Sequence, residues 1–118
     1  MPKFINLSNH PSTKWSKKQL ESVPGIATIV DIPFPQVDPH AHSHTIKSMA
    51  KQLVEEIVME HDPAVVHVMG EMVLTYHLVT LFKEKGIMCV ASTTERNTIE
   101  NPDGTKTVRF DFVQFRMY

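Results

Sequence analysis

The chain has 118 residues, 12 Lys and Arg against 13 Asp and Glu, and one cysteine. A chain of that length supports one domain with one core, burying about two-thirds of its unfolded surface. Its net charge of −1 argues against the basic face that duplex nucleic acid requires, yet a small anionic ligand held by a few groups remains compatible.

The elements follow from local patterns. "KFINLS" (3–8) is an apolar run ended by "NHPS" and predicts a first strand. "SKKQLES" (16–22) predicts a short helix, with Ser16 as N-cap and Gln19 three residues later. "ATIVDIPFP" (27–35) is β-branched, and its prolines stop a second strand near Ile32. "DPHAHSHT" reads as a loop. "IKSMAKQLVEEIVMEH" (46–61) carries Ile46, Met49, Ala50, Leu53, Ile57 and Val58 at helical spacing. "AVVHVMG" (64–70) predicts a third strand, and "EMVLTYHLVTLFKEKG" (71–86) a largely apolar helix closed by Gly86. "IMCVAS" (87–92) is a fourth strand.

"NPDG" (101–104) suits a turn and joins "TTERNTIE" to "TKTVRFDFVQFRMY" as a hairpin. In the last strand Val108, Phe110 and Phe112 share one face, then Val113, Phe115 and Met117 the other. That change of phase predicts a bulge or a passage into two-sided contact.

Apolar strands alternating with helices predict an α/β fold with a mostly parallel sheet. The expected domain, 1–118, is a minimal Rossmann-like three-layer unit of strand order 2-1-3-4. The fifth strand lies antiparallel at the edge of the fourth. Right-handed crossovers place the first helix on one face and the next two on the other. The first helix is only about two turns by its pattern, so one face is thinly covered. A partner subunit is the natural cover, and a homodimer is expected.

Ligands of open α/β sheets sit beyond the strand ends where the order reverses, between strands 1 and 3. Ser8, Asn9, His10 and Ser12 are delivered there, as are Gly70-Glu71 and the segment Ser92, Thr93, Thr94 and Arg96. Gly70 would let a ligand approach the backbone, and the helix starting at Glu71 would offer free N–H groups to an anion. Alternatively, Gly70 makes a tight turn and Glu71 complements the helix dipole. A histidine such as His10 can donate to phosphate or move a proton near neutral pH; the alternative is a solvated His10 in an Asx-turn. The three hydroxyls of "STTER" and the Arg96 guanidinium suit phosphate, unless they form the outer face of a hairpin strand. Trp15 either stacks on a nucleobase or packs.

His40, His42 and His44 in "HAHSH" have a spacing that could ligate zinc or nickel. The segment is proline-bounded and lacks supporting ligands, so no metal and no cofactor are expected. His67 and His77 read as packed, hydrogen-bonded residues. The dinucleotide, P-loop, serine-hydrolase, zincin and CxxC signatures are absent. Cys89 lies in an apolar strand and reads as an inert core thiol. With no intramolecular disulfide possible, a reducing compartment is expected. The N-terminus has no secretory h-region, and no stretch reaches the roughly 18 apolar residues of a membrane span. A cytoplasmic protein with no membrane partner is the expectation.

"FINLSNHPS", "VVHVMGE" and "CVASTTER" in this order on a minimal Rossmann-like chain resemble the small stand-alone CRISPR-ancillary proteins of CARF-like fold. The resemblance covers nearly the whole chain in architecture. It implies a cyclic oligoadenylate ligand, cyclic tetra-adenylate first, bound across a homodimer interface in type III CRISPR antiviral signalling. It implies contacts from Ser8, Asn9, His10, Gly70, Glu71, Ser92, Thr93 and Thr94. The sequence departs from larger CARF proteins: the glycine-rich loop is reduced to "MGEM", and neither a fused effector nor an R-x4-H ribonuclease motif is present. The chain would then be a metal-independent ring nuclease that uses the ribose 2′-hydroxyl. The alternatives are a non-catalytic sponge or regulator, or a structural dimer without nucleotide. For turnover, Glu71 is the expected proton acceptor and His10 the proton donor to the leaving oxygen.

Overall fold

The structure is a computed structural model that describes residues 2–25 and 27–118. Its strands are β1 (Lys3–Ser8), β2 (Thr28–Pro33), β3 (Val65–Val68), β4 (Met88–Glu100) and β5 (Lys106–Met117). Its helices are α1 (Lys17–Glu21), α2 (Ser43–His61) and α3 (Met72–Glu84). The sheet order is β2-β1-β3-β4-β5, with the first four strands parallel and β5 antiparallel to β4. This is the Rossmann-like order expected from the sequence.

Local chemistry explains the element ends. Ser16 accepts from the Gln19 N–H at 3.2 Å and starts α1. Gly86, at φ 75°, supplies the left-handed residue that closes α3. At the hairpin tip Gly104 has φ 88° and donates to the Asn101 carbonyl at 3.0 Å.

The two sheet faces differ in cover. Ile5, Leu7, Val66 and Val68 point to one face, against Ile46, Ala50, Val54 and Ile57 of α2 and Leu74, Leu78 and Phe82 of α3. Phe4 and Val90 point to the other, against Trp15 and Val23 only in part helical cover. The five-residue α1 spans roughly 7 Å, against 19 residues in α2 and 13 in α3.

Two expectations are corrected. The loop reading of "HAHSH" fails at its end, because α2 begins at Ser43 with His42 as its N-cap. The apolar rhythm starts only at Ile46, so the polar first turn has no phase to reveal it. His42 and His44 stack at 6.0 Å, while the His40 Nδ1 lies 3.2 Å from Asp38. Among the described residues no three His, Cys, Asp or Glu side chains converge as a metal site. Likewise, no described helix is long and apolar enough to cross a membrane.

The second correction concerns the faces of β5; the bulge expected in that strand is present. Thr93 pairs with Gln114 and Thr94 with Phe112, so Val113 is the extra residue of a bulge. The bulge resets the alternation. Phe112 and Phe115, assigned to opposite faces by simple period 2, meet on one face with ring centroids 5.0 Å apart. Phe115 then packs on Phe4 and Trp15 at 5.3 and 5.9 Å.

Beyond the bulge the β4–β5 hairpin runs on as an arm. The radius of gyration is 16.2 Å, against roughly 13–14 Å for a compact chain of this length.

Candidate functional site

Alternation along the strands builds the site. Ile5 and Leu7 face α2 and α3, so Asn6 and Ser8 face α1. By the same period His67, between Val66 and Val68, faces α1 as well, and Asn6 lies directly opposite His67 in the ladder. Ser92 follows buried Val90 by two and continues the row on β4. Four polar side chains thus occupy the C-terminal half of the face that α1 covers thinly.

Three of them, Ser8, His67 and Ser92, floor a cavity of about 770 Å³ at the switch point, with Asn6 buried behind them. Ser8, Asn9 and His10 after β1, Gly70 after β3, and Ser92 and Thr94 of β4 line it. Lys14, Ser16 and Gln19 form the α1 side, and Phe110 and Phe112 close it from β5. The three segments expected to converge do so, although 92–96 is part of the long strand β4 rather than a loop. A second cavity, of about 530 Å³, lies beside α3 and Tyr118 and is mainly apolar.

The polar row is one hydrogen-bonded chain. Asn6 Nδ2 donates to Asp31 Oδ1 at 2.8 Å and to the His10 carbonyl at 2.9 Å. Asn6 Oδ1 accepts from Ser8 Oγ at 2.7 Å and lies 2.9 Å from His67 Nδ1. His67 Nε2 is 2.8 Å from Ser92 Oγ, which also accepts from Gln19 Nε2 at 3.1 Å. Asn6, Ser8, Gln19 and His67 are all buried, so each bond removes a desolvation cost on the order of 1–3 kcal/mol.

Burial, reinforced by the nearby His10, pushes the His67 imidazole down to about 4. His67 is therefore neutral at physiological pH. Burial acts to raise the Asp31 carboxyl, but hydrogen bonds from Asn6 and Ser12 outweigh it and leave it below the usual carboxylate range. Burial pushes the Cys89 thiol up to about 11, against a smaller opposing effect of Lys83. That fits an unreactive core cysteine.

Several expected site residues are placed elsewhere. Trp15 is buried, donates Nε1–H to the His10 carbonyl at 2.9 Å, and meets His67 edge-on at 5.6 Å. Of its two readings, stacking on a base or packing, the structure has packing. Ser12 is engaged by Asp31, with Oγ donating at 2.8 Å and N–H at 3.0 Å. Thr93 Oγ1 bonds the Gln114 backbone across the bulge rather than lining the cavity. Arg96 is exposed on the arm opposite Phe110, two residues beyond Thr94.

Glu71 is the main correction. Its carboxylate accepts from the Val73 and Leu74 N–H groups at 3.0 and 2.8 Å, which makes it the N-cap of α3. The free N–H groups expected there for an anion are thus occupied by the chain's own carboxylate. Gly70 is explained by packing within the chain. A Cβ at this position would overlap the Phe34 ring. Replacing Glu71 with Ala should cost about 1 kcal/mol, the usual loss for a removed cap, measured as a shift in the urea midpoint.

Asn6, His67, Gln19 and Lys14 were not assigned to the site from sequence. Asn6 in "FINLS" and His67 in "VVHVM" carried a signal, since each is a polar residue between apolar neighbours in a buried strand. Only the strand pairing shows that they meet.

The sequence profile described as "Uncharacterized protein MJ1673 family" matches residues 2–116. The chain belongs to that family. The match to the MJ1673 family spans β1 to β4, all but the last residue of β5, and every residue of the polar row. No curated protein matches the chain, and no solved structure does.

Proposed function

We propose that this protein binds a cyclic oligoadenylate, with the tetramer preferred, in the cavity at the ends of β1 and β3 and beside the middle of β4. In this reading it acts as a homodimer in the cytoplasm and opens the ring without metal through the ribose 2′-hydroxyl. The observation that carries the proposal is the polar row opening on a 770 Å³ cavity at the switch point. Hydroxyls, amides, Lys14 and His10 suit a ribose-phosphate backbone, and exposed Phe110 offers an aromatic face to a base.

A ring of four nucleotides exceeds one such cavity, so two cavities facing across a two-fold axis suit it. The hairpin arm supports a dimer independently. Ile99, Val108 and Phe110 are 43%, 42% and 65% exposed, and a two-stranded ribbon is at best marginally stable alone. His10 keeps its role as the proton donor to the leaving 5′-oxygen. A second reading, a sponge that binds without turnover, is favoured by one observation: the expected base, Glu71, is occupied as a helix cap.

The test is incubation with cyclic tri-, tetra- and hexa-adenylate, with and without chelator, read by thermal shift and chromatography. The tetramer should raise the melting temperature and yield linear product with chelator present, and light scattering should give a dimer mass. His10→Ala should lower the single-turnover rate at least about a hundredfold with affinity kept, and Glu71→Gln should leave it near wild type. Binding without product would select the sponge. No thermal shift with any ring would reject both.

A further inference from the structure

We propose that Asn6, His67 and Ser92 form a catalytic relay in which His67 draws the proton of the Ser92 hydroxyl, so that Ser92 accepts the proton of the attacking ribose 2′-hydroxyl. The role of Ser92 toward the ribose rests on the proposed function; the activation of Ser92 by His67 does not. Glu71 is engaged as a cap, and the relay supplies the base that cleavage needs.

The donor directions are fixed from the ends of the chain. The Asp31 carboxylate and the His10 carbonyl only accept, so Asn6 turns its amide nitrogen toward them. Asn6 Oδ1 then faces His67, and His67 must carry its proton on Nδ1 to donate at 2.9 Å. Nε2 is left with a lone pair, and Ser92 Oγ, 2.8 Å away, donates into it. At the far end the Gln19 amide donates to Ser92 Oγ at 3.1 Å and holds the hydroxyl in that direction. The result is a hydroxyl, a base within hydrogen-bond reach and an orienting group behind the base, the arrangement that activates an oxygen. Ser92 lines the cavity, so the oxygen meets the substrate.

The backbone adds a donor. β3 ends at Val68, one residue short of the position opposite Ser92, and the Ser92 N–H donates instead to Met69 Sδ at 3.2 Å. Thioether sulfur is a weak acceptor. A phosphoryl oxygen in the cavity can displace it and take a stronger bond.

The protons balance. The 2′-hydroxyl passes its proton to Ser92 Oγ as Ser92 passes its own to His67 Nε2. The 2′-oxygen bonds to phosphorus, and the 5′-oxygen leaves with a proton from protonated His10. The products are a 2′,3′-cyclic phosphate and a free 5′-hydroxyl, and solvent exchange resets both histidines. An anionic phosphodiester beside His67 favours its charged form, so bound substrate strengthens the base.

Two measurements test the relay without the nucleotide. Nitrogen-15 NMR of the wild-type imidazoles should show His67 neutral and protonated on Nδ1; an Nε2–H tautomer would overturn the relay. Diisopropyl fluorophosphate, a small probe of activated hydroxyls, should form a covalent adduct on Ser92, at least about tenfold slower in His67→Gln. Absence of an adduct at millimolar probe, or equal rates in both proteins, would count against it. If His67→Gln does not fold, the tautomer decides. With cyclic tetra-adenylate, Ser92→Ala should keep affinity and lose at least about tenfold in rate. An adduct on Ser92 with no ring cut would leave the activated hydroxyl standing and reject the cleavage reading. Cleavage at the wild-type rate in Ser92→Ala would leave the cleavage reading standing and reject the role of Ser92 toward the ribose.

Discussion

Lowering the pH from 7 to about 4 should remove about 3 kcal/mol of folding stability through His67 alone. The sign follows from proton binding. An unfolded histidine takes up its proton near 6.5, while folded His67 does so only near 4. Between those values the unfolded chain holds more protons, so acid favours unfolding. The contribution is complete above about 6.5 and lost as the pH falls through 4. Burial is the main cause and the charge on His10 the second. Around the ring sit Asn6, Ser92, Trp15 and Phe115, none of which offers a negative charge to a protonated imidazole. Asp31, Asp103 and Asp111 are held below the usual carboxylate range, so their own losses come at lower pH. Urea unfolding at pH 7, 6, 5 and 4 measures the effect. His67→Gln should flatten the slope in this window, and an unchanged slope would show that the burden lies on another group.

That acid sensitivity belongs to the polar row that defines the candidate site, and the row shows how far the sequence could be read. Strand order was legible because continuous apolar runs alternated with helices, and right-handed crossovers leave few arrangements for such a chain. The convergence of Ser8, Asn9, His10, Gly70, Ser92 and Thr94 followed from that order. Which of these residues face the cavity did not follow, because it depends on alternation and bulges. Thr93 and Thr94 looked equivalent in "STTER"; the bulge opposite them turns Thr93 to the Gln114 backbone and Thr94 to the cavity. His67 was read correctly as buried and hydrogen-bonded, but its partners, Asn6 and Ser92, are 61 and 25 residues away. A pairing over such separations is set by tertiary structure. Glu71 failed for the opposite reason. Its role is wholly local, and a carboxylate at a helix start satisfies nearby N–H groups before any ligand arrives.

Gly70 and Phe34 should show the strongest coupling in the chain. Phe34 is buried among Ile5, Leu7, Val68 and the residues of α2 and α3, in a "PFP" segment whose prolines end β2. Its N–H lies 3.4 Å from the Ser8 carbonyl, which brings its ring back over the end of the sheet. The ring then fills the space that a side chain at position 70 would need. Phe34→Ala should cost about 3–5 kcal/mol, the range for a buried aromatic. Gly70→Ala should cost about 1–3 kcal/mol through overpacking, because the obstacle is a ring held in a dense core. In the double variant the clash is gone, and the new methyl group enters the space the ring has left. The two costs should therefore fall short of additive by about 1–2 kcal/mol. Urea unfolding of the four proteins at pH 7 gives the coupling directly. Full additivity would mean that Gly70 is required for something other than Phe34, and close approach of a ligand to the bare backbone would then be the remaining reason for it.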